Sequence, residues 1–262
     1  MASSNKRDAI LDAAADLLAR EGRDAVSTRA VCKAAGVQAP ILYRLFGDKQ
    51  GLLDAVASRG LAAYIAEKRR ITPSGDPVED LRRGWDLHVG FGLAEPALYA
   101  LIYGSPRPGA EPEGAKQAAE ILAGLVHRVA LAGRLRVPEE RAARVVHAAG
   151  RGTTLSLIAM PEAERDMEAA RIVREAVIHS ITEPAPSAPS ADPSSGPSNG
   201  HVRTGSDVVA GAITLKASLG DLEVLTPSES RLLGDWLDRI IEGQAARPQA
   251  TSSETPHQAT AP

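Results

Sequence analysis

Apolar residues recur along this chain at helical spacing, and the gaps between the runs are filled by helix punctuation. Ile10, Ala13, Ala14, Leu17 and Leu18 fall at i, i+3, i+4, i+7 and i+8, which predicts a helix over 6–21 with one apolar stripe, ended by Gly22. A second stripe, Leu52, Leu53, Val56, Leu61, Tyr64 and Ile65, predicts a helix from Asp48 or Lys49 to about Arg70. Asp76-Pro77-Val78-Glu79 reads as an N-cap, a proline in the first helical position and a returning acid, opening a helix to about Gly92. Pro96 opens a short helix to Tyr103, and further starts fall at Pro112, Pro138 and Pro161, each followed by glutamates that favour the positive helix end. Alternating strand patterns are scarce. The pattern predicts an all-α chain.

Between the first two long stripes lies the most informative segment. Ser27 or Thr28 caps a short helix running to about Ala35, and Gly36 supplies the positive φ of a sharp reversal. Pro40 presets the first turn of the next short helix, Leu42 to Phe46. Two short helices joined by a glycine-containing turn are a helix-turn-helix, whose second helix enters the DNA major groove. A double-stranded DNA site is therefore the expected partner.

The C-terminal third changes character. Residues 183–206 are dominated by Pro, Ser, Ala and Gly, which cannot offset the entropy of ordering, and they read as a flexible linker. A short helix is expected over 207–219. Thr226-Pro227-Ser228-Glu229 is a capping box that opens a helix with Leu232, Leu233, Trp236, Leu237, Ile240 and Ile241 on one apolar face, stopped by Gly243. That face must pack on something, so the folded protein continues past the linker, and 244–262 reads as a disordered tail. The expected organisation is a DNA-binding domain over 1–70 that includes the connecting helix, then a helical domain over 71–243 interrupted by the linker.

Composition narrows the function classes. The 262 residues are 44% hydrophobic, but no run approaches the ~18 apolar residues of a membrane span. No apolar block follows Lys6 and Arg7, so no secretory signal is read and a cytoplasmic location is expected. A single cysteine, Cys32, excludes an internal disulfide and a cysteine-based metal site; it reads as a small core residue. No His/Asp/Glu spacing argues for a metal, and no cofactor is expected. Residues 1–70 hold twelve Lys and Arg against eight Asp and Glu, a balance of +4, whereas the remainder holds eighteen against twenty-five, a balance of −7. A basic head on an acidic body suits phosphate contact. Phosphate-loop, nucleophile-elbow and metalloprotease motifs are missing, and Gly90-Phe91-Gly92 lacks both the third glycine and a preceding strand, so an enzyme is not expected.

Residues 6–53 resemble the N-terminal domain of TetR-family transcriptional regulators. The resemblance rests on the Ile10 to Leu18 stripe, Gly22, Ser27-Thr28-Arg29, Ala34-Ala35-Gly36-Val37, Leu42-Tyr43-Arg44-Leu45-Phe46, and Lys49 with Leu52-Leu53. It implies an N-terminal three-helix DNA-binding domain followed by a helical ligand-binding and dimerisation domain, acting as a homodimeric repressor released from a near-palindromic operator by a small-molecule effector. Thr28 and Arg29 open the helix that crosses the backbone and are expected on phosphate. Gln38, Ala39, Pro40 and Ile41 begin the recognition helix; Gln38 can pair with adenine and Ile41 can touch a thymine methyl. Tyr43 and Arg44 point outward together from a helix packed through Leu42, Leu45 and Phe46. The resemblance places the tyrosine hydroxyl and Lys49 on phosphate.

In the body, Trp85, His88, Phe91, Tyr99, Tyr103, His127, His147 and Met160 stand out because aromatics are only 3% of the chain. Core packing is the first reading of any single one. By resemblance, Trp85, His88, Phe91, Tyr103, His127 and His147 are candidates for the effector pocket, and Trp85, His88 and Phe91 share a helix face. Small residues from Ala142 to Gly152 and the stripe Val173, Ala176, Val177 and Ile181 permit close helix approach within 138–181, the segment that forms the dimer in the family. A regulator answering to a protein partner instead of a small ligand is the alternative, kept open by the capped helix 227–242.

Overall fold

The computed structural model describes residues 2–70, 72–104, 112–183 and 205–245. The expected linker and tail fall mostly outside these residues. Eleven α-helices are present among them, with one isolated antiparallel bridge, Leu135 to Thr182, and no strand. The head comprises α1 (Ala2–Glu21), α2 (Thr28–Ala35), α3 (Ala39–Phe46) and the start of α4 (Lys49–Arg69). The body comprises α5 (Pro77–Ala94), α6 (Pro96–Tyr103), α7 (Glu113–Leu131), α8 (Glu139–Ile158) and α9 (Met167–Ile181), joined by α10 (Gly205–Ala217) and α11 (Pro227–Ala245).

Local chemistry sets the head. Ser27 caps α2 by accepting from the Ala30 N–H at 3.1 Å, and Gly36 ends that helix at φ 64°, a left-handed conformation that costs a side chain but not glycine. Asp48 caps α4 by accepting from the Gly51 N–H at 2.7 Å. A Cβ at Gly51 would lie 2.0 Å from the Phe46 carbonyl oxygen, so the end of α3 and the first turn of α4 meet at a distance only glycine permits. Ile10, Leu11, Val31, Leu42, Leu52 and Leu53 form the fully buried centre of the head. The same core continues through Leu61 and Tyr64 of α4 to Tyr99 and Ile102 of α6, so the connecting helix is rooted in both halves.

A second core holds the body together: Trp85 and Val89 of α5, Leu125 and Val129 of α7, Val146 of α8 and Ile178 of α9. Arg174 of α9 pairs with Asp86 in the middle of α5, and Arg134, in the turn after α7, pairs with the α5 cap Asp76 at 2.7 Å. The C-terminal helices dock on this core through Ile213, Leu237 and Ile241, and the Thr214 hydroxyl donates to the Ala130 carbonyl on α7 at 3.1 Å.

Three expectations are corrected. Pro161 opens only a single tight turn, Glu162–Glu164; the chain then becomes extended at Arg165, and α9 starts under an Asp166 cap. Gly243 does not stop α11, which continues to Ala245. The broad apolar face of α11 divides: Leu237 and Ile241 are buried with Leu233 beside them, while Leu232, Trp236 and Ile240 are exposed. The capping box itself forms, with the Thr226 N–H donating to Glu229 Oε2 at 2.8 Å.

Candidate functional site

The turn between α2 and α3 brings one set of side chains to a single face of the head. Ser27 caps the Ala30 N–H, and the N–H groups of Thr28 and Arg29 are first-turn donors without an intrahelical acceptor. Gln38 precedes α3 with no side-chain capping bond, and Pro40 occupies its first turn. Gln38, Ala39, Pro40, Tyr43, Arg44 and Lys49 are exposed, Tyr43 at 49% despite its aromatic ring. Ile41 is half-buried against the head core, so only part of its side chain faces outward. Among the described residues, Arg29, Lys33, Arg44 and Lys49 have no ion-pair or side-chain hydrogen-bond partner, unlike Arg59, which meets Asp12 at 2.8 Å. Four cations without ion-pair partners and an exposed tyrosine thus stand on α2, α3 and the first turn of α4, the residue types that phosphate contact uses. Cys32 is buried behind it.

The body contains a polar interior. Trp85, His88, Tyr103 and His147 line one cavity of about 30 Å³, with Lys68 at the end of α4 and Leu122 of α7 completing its wall. Four of the six expected pocket residues are thus brought together. Phe91 is not among them: it stacks on Tyr64 with ring centroids 4.5 Å apart and faces a wider groove of about 740 Å³ bounded by α1, α4, α5 and α6. The spacing i, i+3, i+6 spreads over a wide arc of a helix, so Phe91 turns away from Trp85. His127 is also elsewhere, on the outer side of α7, with Nδ1 3.1 Å from Glu139.

His88 is the hub of the interior. Its Nδ1 lies 3.2 Å from the Tyr64 hydroxyl and its Nε2 2.7 Å from the Tyr99 hydroxyl, so one ring nitrogen donates and the other accepts. Tyr103 packs edge-on against both His88 and His147. Burial, with the Lys68 charge and His147 adding to it, pushes the His88 pKa down to about 3, so the ring is neutral. Burial raises the Tyr64 and Tyr99 hydroxyls well above the usual phenol range.

Lys68 escaped sequence reading because it sits in a Glu-Lys-Arg-Arg run that resembles any solvated helix end. It is only 7% exposed, with Nζ 5.3 Å from the Tyr64 ring centre, and no carboxylate pairs with it among the described residues. Burial lowers its pKa from 10.5 to about 8. A charge held this way weakens the native state. Between pH 8 and 10 the native lysine has released a proton that the unfolded chain still binds, so stability rises with pH there. Replacing Lys68 by Met should raise the unfolding free energy at pH 7 by about 3 kcal/mol and flatten that rise. Urea unfolding at pH 7, 8 and 10 checks it.

Comparison with known proteins agrees with the head. Residues 10–56 match the family of bacterial regulatory proteins, tetR family. The HTH-type transcriptional regulator YvkB of Bacillus subtilis is 36% identical over 97 residues, covering 36% of this chain and 46% of YvkB. The HTH-type transcriptional regulator AlkX of Mycobacterium tuberculosis is 30% identical over 105 residues, covering 39% of this chain and 49% of AlkX. The chain thus spans about half the length of the curated relatives it matches. The fold extends further: a tetR family transcription regulator from Shewanella sp. PV-4 superposes with TM-score 0.56 at 22% identity, over 68% of this chain and 99% of that one. Residues 10–56 thus carry the N-terminal domain of the tetR family of bacterial regulatory proteins, and the helical body that follows shares the fold of the Shewanella regulator.

Proposed function

We propose that this chain is a homodimeric transcriptional regulator that binds a near-palindromic operator through α3 and is released from it by a small molecule taken up in the body. The observation that carries the reading is the uncompensated cationic face of the head, Arg29, Lys33, Arg44 and Lys49 around Tyr43. An isolated head would gain few contacts, so pairing two heads supports selective binding.

The surface of the body supports a dimer. Val145, Ala148 and Gly152 lie exposed along α8, and Ile172, Val173 and Ala176 lie exposed along the adjacent α9. Two neighbouring helices with small and apolar outer faces suit a four-helix bundle formed with a second copy. Ile172, 57% exposed, should tolerate a charge in a monomer but not in that interface. Ile172→Glu is expected to leave the chain folded, convert a dimer to a monomer in sedimentation, and weaken operator binding by at least about tenfold. Unchanged mass and affinity would reject the interface.

Coupling follows from α4. Its 21 residues span roughly 30 Å. One end abuts α3 through the Gly51 contact, and the other carries Lys68 into the cavity wall. A cavity of about 30 Å³ holds water and little more, so a larger guest must move its walls. Displacement of α4 would change the spacing of two heads without altering either. Ligand and operator then weaken each other by one common factor, ~5–150-fold for a coupling of ordinary size. Trp85→Ala should lose the ligand response while keeping operator affinity.

A further inference from the structure

Resting on the proposed effector reading, the charge in the cavity narrows the class of ligand. We propose that the cavity takes an organic carboxylate, whose anionic end meets the Lys68 ammonium and whose apolar part lies against Trp85, Leu122 and Val146. Lys68 is only 7% exposed and lines the cavity, and no carboxylate among the described residues answers it. Such a group is costly to keep in an interior and is matched by an acceptor supplied from elsewhere.

The surroundings reinforce this choice. Among the described residues, the titratable groups facing Lys68 are His88, His147, Tyr64 and Tyr103, none of them a carboxylic acid. His88 is neutral and both its ring nitrogens are engaged by Tyr64 and Tyr99, so it brings no second charge to the cavity. Lys68 remains mostly protonated at pH 7, as its pKa stays near 8. The rest of the wall is apolar or aromatic, including Trp85, Ala118, Leu122 and Val146, and rewards a hydrocarbon body. A cationic or doubly charged guest would be repelled or left with an unmatched charge. Lys68 also stands on the helix that leads to the head, so the bond that selects the ligand is the bond that pulls on α4.

Trp85 reports on the cavity directly. The chain has two tryptophans, and Trp236 is exposed on α11, so Trp236→Phe leaves a single indole in the cavity wall. That variant is titrated with butanoate, hexanoate and benzoate beside butanamide, hexanamide and benzamide, following fluorescence and release of operator DNA. Each carboxylate should bind at least about tenfold tighter than its amide, because a charge-assisted hydrogen bond is stronger than a neutral one. Lys68→Met should abolish that preference and Lys68→Arg should preserve it, each checked for a native melting transition. Amides that bind and release DNA as well as the acids overturn the carboxylate assignment and leave the effector reading standing. A carboxylate preference that survives in Lys68→Met also overturns it. If neither acids nor amides alter Trp85 fluorescence or operator binding, both readings fall.

Discussion

Replacing Arg44 and Lys49 together by alanine should lower affinity for duplex DNA by roughly a hundred- to a thousandfold at moderate salt. Both side chains are exposed and unpaired, so nothing in the folded protein is lost when they are removed. In the proposed docking each supplies one cation to phosphate, and each lost contact reduces the slope of log affinity against log salt by about 0.9. For two heads on one site, four contacts disappear and the slope falls by between three and four, roughly. The loss should be nearly uniform across sequences, since phosphate contacts position the protein without reading bases. Tyr43→Phe, which deletes only a hydroxyl, should cost about 1 kcal/mol per head. Arg59→Ala is the control, because Arg59 is already engaged by Asp12. Mobility shifts across a salt series measure all four. Equal slopes for wild type and the double variant would show that α3 and the start of α4 do not face phosphate.

Acidification should expose the second large effect, in the body. His88 resists protonation until about pH 3, whereas an unfolded histidine takes up its proton near 6.5. Between those values the unfolded chain binds more protons than the native one, so stability falls as pH falls. The full loss attributable to His88 is up to about 5 kcal/mol, most of it accumulated before pH 4. Asp80 and Glu175, whose carboxyls are held below their usual range by Ser74 and by Arg82 and Arg174, add their own loss at lower pH, so the variant comparison is needed. His88→Gln keeps a donor and an acceptor for Tyr64 and Tyr99 but cannot titrate. Its urea-unfolding free energy should decline much less than wild type from pH 7 to 4. Parallel profiles would mean that His88 opens to solvent before it protonates.

The head was legible in the sequence because its signals are local. Gly36, the Ser27 cap and the outward pair Tyr43 and Arg44 follow from turn chemistry and helix periodicity, and the structure places them accordingly. The body was less legible because a pocket is assembled from several helices at once. Trp85, His88, Tyr103 and His147 converge, but periodicity could not reveal that Phe91 turns toward the outer groove or that His127 pairs with Glu139. Lys68 shows the limit most plainly. A lysine in a charged run reads as solvated, and only the packing of α4 against α5 and α7 makes it an interior cation. On α11, six apolar residues over a broad arc gave no way to tell which half docks on α10 and which half, with Trp236, faces outward.

A symmetric pair of heads should read one DNA site. Selection of bound duplexes from a random-sequence library, followed by sedimentation of the protein on the enriched duplex, tests it most directly. The expected outcome is a near-palindromic site with half-sites one helical turn or a multiple of it apart, occupied by two chains, and no enrichment with the Arg44 and Lys49 double variant. A short asymmetric site held by one chain, or enrichment that survives the double variant, would contradict it.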